Sequence, residues 1–195
     1  KVSFELINLR DFGEGKHQAV DDRPYGGGAG MVLRADILAK AVQKISHSSS
    51  GKAKIILTSA SGKPYKQSKA RELSKLEHLI IICGHYEGVD QRFIDKYVDE
   101  EISIGDYVLT GGEIPAMVIV DSLVRLIPGV LKKEEATLNE SFTDNFLEHP
   151  QYTRPEEFKG KKVPKVLLSG NHQEIAKWRK EKSKEFTKKL RPDLL

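Results

Sequence analysis

One stretch, residues 101–115 with the sequence EISIGDYVLTGGEIP, constrains the fold more than any other part of this chain. Ile102 and Ile104 alternate with polar residues, which predicts a half-buried strand. Glycines at 105, 111 and 112 predict two turns, and a helix over 115–126 follows them. Dense apolar residues in that helix lead us to expect it to be deeply buried. The glycine turns would let a flat ligand approach the bare backbone closely.

Two more predicted strands end in loops of small residues. Strand 54–58 leads into 57–62, and strand 79–83 leads into 83–88. Helices predicted at 35–45, 68–75 and 90–97 alternate with the strands, which is typical of an α/β protein with a mostly parallel sheet. Such sheets bind ligands at the carboxyl ends of their strands. Residues 4–9 also alternate and predict an additional strand.

Length and composition exclude several classes of protein. At 195 residues and 38% apolar, the chain can form one domain and a small second one. There is no run of about 18 apolar residues, so we expect no membrane span. A single cysteine, Cys83, excludes an internal disulfide framework and favours a reducing, cytoplasmic location. Its position at a strand end indicates a core residue rather than a nucleophile.

Charge is distributed unevenly along the chain. Residues 159–195 carry 12 Lys and Arg against 4 Asp and Glu, whereas residues 1–158 carry 20 against 24. The basic segment indicates either a polyanionic partner or only a solvated helix face. Within it, 163–168 predicts a short extended piece, and Asn171 predicts the start of a helix that runs to Leu190.

Two segments lack regular periodicity. Residues 10–34 form a long glycine-rich loop, which would be either a lid without substrate contacts or a surface on which a base stacks. Residues 131–158 predict an interdomain linker, partly disordered.

Four motifs together resemble one known family. They are DDRPYGGGAGM at 21–31, CGHYEGVD at 83–90, SIGDYVLTGGEIPA at 103–116 and LLSGNH at 167–172. Their order and length are similar to those of TrmD-type bacterial tRNA (guanine-N1)-methyltransferases, in the SPOUT superfamily. The resemblance covers essentially the whole chain, without the family's first strand and helix and most of its C-terminal domain.

The resemblance implies a parallel α/β sheet with a deep C-terminal trefoil knot, which periodicity cannot reveal. It implies a SPOUT domain over 1–130, a linker over 131–158 and, over 159–195, the start of a small, truncated helical domain that binds tRNA. It also implies a homodimer with the active site at the subunit interface, and neither a membrane nor DNA as a partner. S-adenosyl-L-methionine would donate its methyl group to N1 of the guanosine immediately 3′ of the anticodon.

Matching to the family motifs also implies site residues. Glu140 would be the general base, where the family usually has Asp, and Arg125 would face the charge that develops on guanine O6. Glu87, Asp21, Tyr25 and Gly30 would contact the target base. Twelve residues would line the donor pocket: Leu57, Ser59, Gly84, Tyr86, Gly88, Ile104, Gly105, Tyr107, Leu109, Gly111, Gly112 and Pro115. No metal ligands are expected from the histidine spacing, although Mg²⁺ beside O6 is compatible with the chemistry.

Three alternatives remain open from the sequence. One is a SPOUT enzyme that methylates a ribose hydroxyl, against which the long lid argues. Another is a non-catalytic RNA-binding module, which would leave the three glycine loops unexplained. A nucleotide-phosphate enzyme is disfavoured, because neither phosphate-binding glycine pattern occurs between a strand and a helix.

Overall fold

The computed structural model describes residues 1–48, 53–132, 137 and 140–195, and the chain forms two compact units, Lys1–Leu131 and Lys132–Leu195. Within the described residues, no helix is both long enough and apolar enough to cross a bilayer. The predicted linker 131–158 lies partly outside the described residues.

The first unit contains a parallel sheet of three strands in the order β4-β3-β5, which confirms the predicted α/β class with a parallel sheet. Strand β3 is Lys54–Pro64, β4 is Leu79–Cys83 and β5 is Glu100–Ser103. β4 has the sequence LIIIC without polar alternation, because both faces of the sheet are covered.

Residues 59–62 bulge out of β3. Ile102 lies opposite Thr58 and again opposite Lys63, so the four residues between them have no partner on β5. The prediction that the strand ends in a loop over 57–62 is therefore wrong, because the strand continues to Pro64 by resuming its pairing with β5. The bulge still opens the edge of the sheet at the predicted place.

Helices cover both faces of the sheet, and β3 supplies a core to each. Helices α1 (Ala35–Ser48) and α3 (Gln91–Tyr97) pack around Leu57, whereas α2 (Gln67–Leu73) and α4 (Glu113–Val124) pack around Ile56. Neighbouring residues on a strand point to opposite faces, which explains why two adjacent apolar residues belong to different cores. All four helices were predicted, with end positions within a few residues of those observed.

Helix α4 is not deeply buried, so that prediction is wrong for the isolated chain. Pro115, Ile119 and Leu123 face the core, but Met117 is 70% exposed and Ile114 is 57% exposed. The apolar density of α4 therefore produces two apolar faces, of which the chain covers one.

The predicted strand over residues 4–9 is also wrong. Phe4 and Leu6 are exposed, and no described strand pairs with them. Alternation alone cannot form a strand without a neighbour to accept its hydrogen bonds. The chain instead forms a short 3₁₀ helix, Leu9–Phe12, whose first turn is capped by the side chain of Asn8.

The long glycine-rich loop contains a short hairpin. Strand β1 (Asp21–Asp22) pairs antiparallel with β2 (Val32–Leu33), and β2 lies beside the loop after β4, where Leu33 N donates to Gly88 O at 2.9 Å. The glycines at 26–28 and 30 all have positive φ, which residues with a Cβ rarely adopt. The hairpin therefore fixes both ends of the loop.

The second unit is built on helix α6, His172–Leu190, and the predicted helix is confirmed. The side chain of Asn171 caps it by accepting from the amides of Gln173 and Glu174. Residues of the predicted linker pack on α6: Leu147 N donates to Thr187 Oγ1 at 2.8 Å.

Two short strands and a short helix precede α6. Strands β6 (Glu157–Phe158) and β7 (Lys161–Lys162) form a hairpin. Helix α5 is Lys165–Leu168, so the extended piece predicted over 163–168 is wrong. Pro164 lies directly before this helix, at a position that tolerates its missing N–H.

An ion-pair cluster beside the sheet predicts acid sensitivity. Hydrogen bonds from Lys69 and Lys54 hold the pKa of Glu72 at about 2. Burial alone would raise the pKa of Glu100, but the same two lysines bring it below its ordinary value. Both carboxylates are more acidic in the folded state, so their stabilisation is present above about pH 4.5 and is lost towards pH 2.

We expect the free energy of unfolding of the wild type to fall more steeply with decreasing pH than that of Glu72→Gln. Urea titrations between pH 5 and about 2 measure this difference. Glu77→Gln, an exposed glutamate after the same helix, serves as the matched control. Parallel curves for wild type and Glu72→Gln would contradict the assignment.

Candidate functional site

A pocket of about 440 Å³ lies where β3, β4 and β5 end at their carboxyl edge. This is the edge at which open parallel sheets bind ligands, and its volume is in the usual range for small-molecule sites. Its walls are three segments of the first unit: the bulge of β3, the loop after β4 and the loop between β5 and α4. The described lining is completed by residues of α3 and α4, and comprises residues 57–61, 84–89, 91, 94, 101–105, 107–112 and 115.

All twelve residues that the sequence assigned to donor binding line this one pocket. They come from three separated stretches of the chain: Leu57 and Ser59; Gly84, Tyr86 and Gly88; Ile104, Gly105, Tyr107, Leu109, Gly111, Gly112 and Pro115. The fold therefore brings the predicted residues together.

Gly112 packs two of these walls against each other. Its amide donates to Gly84 O at 2.7 Å, and its carbonyl lies 3.3 Å from Thr58 Oγ1. A Cβ added to Gly112 would lie 2.6 Å from Gly84 N and 2.7 Å from Cys83 Cα, and would also collide with Thr58 Oγ1. These are main-chain atoms of neighbouring strand ends, which cannot move aside cheaply. Only glycine fits at this position.

The loop between β5 and α4 folds back on itself at Gly105. A Cβ there would collide with the ring of Tyr107, whose hydroxyl donates to Ile104 O at 3.2 Å. Ser103 Oγ donates to Gly105 O at 3.0 Å and fixes the turn. The ring of Tyr107 therefore packs against the bare backbone at Gly105.

The loop after β4 is held by a strained residue. Tyr86 has a φ of 59°, in the left-handed region, and its amide donates to His85 Nδ1 at 2.9 Å. The next residue, Glu87, donates its amide to Met31 O at 2.9 Å. The loop is thus anchored to the glycine-rich hairpin.

The charge of the pocket is negative. Its described lining includes the carboxylates Glu87 and Glu101 and no lysine or arginine. Such a lining favours a cationic or neutral ligand over one that carries phosphates.

Cys83 does not have the properties of a nucleophile. Burial, together with the nearby carboxylate of Glu113, raises the pKa of its thiol above the ordinary value. Among the residues that the structure describes, no three His, Cys, Asp or Glu side chains come together as metal ligands would.

The residues predicted to contact the target base are distributed over the hairpin and the loop after β4. Gly30 touches Glu87, since a Cβ on Gly30 would collide with the Glu87 carboxyl group. Asp21 lies in β1, and the side chain of Tyr25, at the hairpin tip, is 97% exposed. Only Glu87 of these four lines the pocket.

Neither predicted catalytic residue lines the pocket. Arg125 is the C-terminal capping residue of α4, at the opposite end of the helix from Gly112. Glu140 belongs to the second unit and is partly buried.

Sequence reasoning missed several lining residues. Thr58, Gln91 and Ile94 also border the pocket, and Thr58 is only 4% exposed with its hydroxyl 3.2 Å from Ile82 O. Thr58 could have been found from the sequence, because it is a polar residue at the end of an apolar strand. Gln91 and Ile94 could not, because they belong to helix α3 and no local pattern links that helix to the pocket.

The chain has a parallel α/β sheet with a small-molecule pocket built from glycine loops at its carboxyl edge. This architecture is that of an α/β enzyme. Comparison with known sequences identifies the family: the profile of tRNA (Guanine-1)-methyltransferase TrmD matches residues 1–195. The chain belongs to this family.

Individual relatives agree with the family assignment. The chain is 55% identical over 194 residues to the tRNA (guanine-N(1)-)-methyltransferase of Bacillus pumilus, covering 100% of the chain and 80% of that protein. It is 54% identical to the protein of the same name from Clostridium tetani, covering 99% and 80%. For Bacillus subtilis the identity is 52%, with coverage of 100% and 80%. The predicted family is therefore confirmed.

Proposed function

We propose that the pocket binds S-adenosyl-L-methionine and that the protein transfers its methyl group to N1 of the tRNA guanosine immediately 3′ of the anticodon. The observation that carries this proposal is the 440 Å³ pocket, which joins the twelve predicted residues and has carboxylates but no cationic side chain in its described lining. A sulfonium and an ammonium group are cations, so the donor suits this lining. A nucleoside phosphate would find no positive side chain there.

The lining residues of the pocket support donor binding. Gly84 and Gly105 contribute backbone to its walls, and Leu57, Leu109 and Pro115 would provide apolar contacts to the donor. The bound donor supplies an electrophilic methyl group, so the protein mainly has to align it with the acceptor.

Methylation of the acceptor atom, guanine N1, requires a general base. Guanine N1 carries a proton at neutral pH, and it becomes nucleophilic only as that proton leaves. We assign the base to Glu140, which stands before Ser141-Phe142 as in the family pattern, and the stabilisation of O6 to Arg125. Glu87 would accept from the guanine edge, with Asp21, Tyr25 and Gly30 near the base. Mg²⁺ beside O6 stays a prediction.

The length of α4 supports a homodimer with a shared active site. The helix has 12 residues and is roughly 18 Å long, so Arg125 lies farther from the pocket at Gly112 than an arginine side chain reaches. Arg125 can serve a pocket of this kind only if that pocket belongs to another subunit. The uncovered apolar face of α4, with Met117 70% exposed, is a suitable contact surface.

Met117→Glu should convert a dimer into monomers. An unpaired carboxylate buried in the contact costs about 3 kcal/mol or more, which weakens association roughly 100-fold. Sedimentation equilibrium over a range of protein concentrations measures this change. Leu76→Glu places the same charge at a 40% exposed leucine outside α4 and should leave the association state unchanged. Equal association of both variants would exclude α4 as the interface.

The knot and the role of the second unit belong to the same proposal. The residue after the β5–α4 loop, Gly112, packs against the ends of β3 and β4, as a threaded crossing requires. A crystal structure in which this loop does not pass through the preceding chain would contradict the knot. The basic segment 159–195 supports tRNA contact by the second unit in the cytoplasm.

Two measurements test the function. Calorimetric titration with S-adenosylhomocysteine should give saturable binding, and ATP should give none. Methylation of a tRNA transcript should require guanosine at the target, with adenosine as the matched control. Because an N1-methyl group blocks Watson–Crick pairing, primer extension should stop there, whereas ribose methylation would permit read-through. Methyl transfer with full read-through would favour the ribose enzyme instead.

A further inference from the structure

A second concavity, of about 240 Å³, lies beside α2, and three of its eight described lining residues are lysines. Lys63, Lys66 and Lys69 border it, together with Ser68 and Glu100. Nothing in the proposed donor or base site uses these lysines. We call this the α2 lysine pocket.

Two of the nearby lysines are neutralised and two are not. Lys54 and Lys69 each contact both Glu72 and Glu100, at 2.7–3.1 Å. Lys63 and Lys66 are exposed and form no ion pair with any described residue. The two carboxylates are therefore already balanced, and the α2 lysine pocket has an excess of two positive charges.

The walls of the pocket are fixed. Tyr65, which lies between the two unpaired lysines, is held to α4 by a 2.7 Å hydrogen bond between its hydroxyl and that of Ser122. The amide of Tyr65 donates to Ser103 O at 2.7 Å, which ties this segment to β5. Lys63 and Lys66 therefore extend exposed side chains from a backbone that these hydrogen bonds hold in place.

The α2 lysine pocket adjoins the donor pocket along β3. Ser59 and Ser61 line the donor pocket, Lys63 and Pro64 line the lysine pocket, and Ile102 borders both. Ile102 of β5 lies opposite both Thr58 and Lys63, on the two sides of the bulge, so the two sites are immediate neighbours at this edge of the sheet. The donor pocket has no cation in its described lining.

We propose that Lys63 and Lys66 bind backbone phosphates of the tRNA and thereby position it beside the donor pocket. This inference rests on the tRNA methyltransferase function proposed above. A target base that reaches an acidic pocket brings its flanking phosphates with it, and those phosphates need cations outside the pocket. The ammonium groups of exposed lysines bind phosphates as point charges, so they would contact the tRNA backbone without recognising its base sequence.

The test compares two double variants of equal charge. Lys63→Ala with Lys66→Ala removes the proposed contacts, and Lys44→Ala with Lys75→Ala removes two exposed lysines of the first unit that lie outside both the α2 lysine pocket and the glycine-rich loop. Filter binding to tRNA is measured from about 50 to 200 mM salt. We expect the first pair to weaken tRNA binding about tenfold at low salt. The slope of log K against log salt concentration should fall in magnitude by about 1.5, because each of the two lost phosphate contacts contributes roughly 0.7–0.9.

Further readouts separate this inference from the function itself. Because phosphates carry no sequence information, the loss should be equal for tRNA with guanosine or adenosine at the target. If the two double variants bind tRNA equally, the α2 lysine pocket is not a phosphate site. If the wild type binds S-adenosylhomocysteine but never methylates tRNA, the proposed function fails, whatever the lysine variants show.

Discussion

Gly112→Ala should abolish donor binding and methyl transfer. The added Cβ would lie 2.6 Å from Gly84 N and 2.7 Å from Cys83 Cα, distances at which these main-chain atoms must separate. That movement breaks the 2.7 Å hydrogen bond between Gly112 N and Gly84 O and moves two walls of the pocket apart. Calorimetry with S-adenosylhomocysteine should show affinity reduced at least 100-fold, equivalent to about 3 kcal/mol, within the range for overpacking.

Two comparisons make this result specific. Gly84 lines the same pocket, but the Cβ added by Gly84→Ala would lie 3.1 Å from Thr58 O. A shift of a few tenths of an ångström accommodates it, so the loss of donor affinity should be much smaller. Gly160→Ala, in the β6–β7 hairpin of the second unit, should leave donor affinity unchanged. If Gly112→Ala binds the donor normally while remaining folded by circular dichroism, the pocket has been placed wrongly.

The tight fit at Gly112 shows what sequence could and could not predict. The glycine pair was visible as a turn, and the strand ends were visible as apolar runs, so the loops around the pocket could be located, but its twelve residues were named only by matching to the family motifs. The contact itself joins Gly112 to Thr58, 54 residues away, and no local pattern encodes such a distance. The family motifs supplied what periodicity could not.

The errors have the same physical origin. Residues 4–9 have the alternation of a strand, but a strand needs a partner, and none of the described strands pairs with them. Helix α4 has the apolar density of a buried helix, yet Met117 is 70% exposed. Sequence reports how apolar each face of a helix is, but not which of those faces the rest of the chain covers.

Glu140→Gln should slow methyl transfer by about 10² to 10⁴-fold without weakening donor binding. The amide keeps the shape of the side chain but cannot remove the proton from guanine N1. All described residues that line the donor pocket belong to the first unit, whereas Glu140 belongs to the second, so affinity for S-adenosylhomocysteine should be retained. Single-turnover transfer of a labelled methyl group to tRNA measures the chemical step directly.

Two further substitutions distinguish a base from a merely structural carboxylate. Glu140→Asp keeps an ionisable group and restores the residue that the family usually has, so it should retain most of the rate. Glu156→Gln makes the same chemical change at an exposed glutamate of the second unit and should have no effect. A rate for Glu140→Gln within about threefold of the wild type would exclude Glu140, because a missing general base costs far more than that. Another carboxylate would then have to accept the proton from N1. Glu87 lines the pocket, so Glu87→Gln would be the next variant to test.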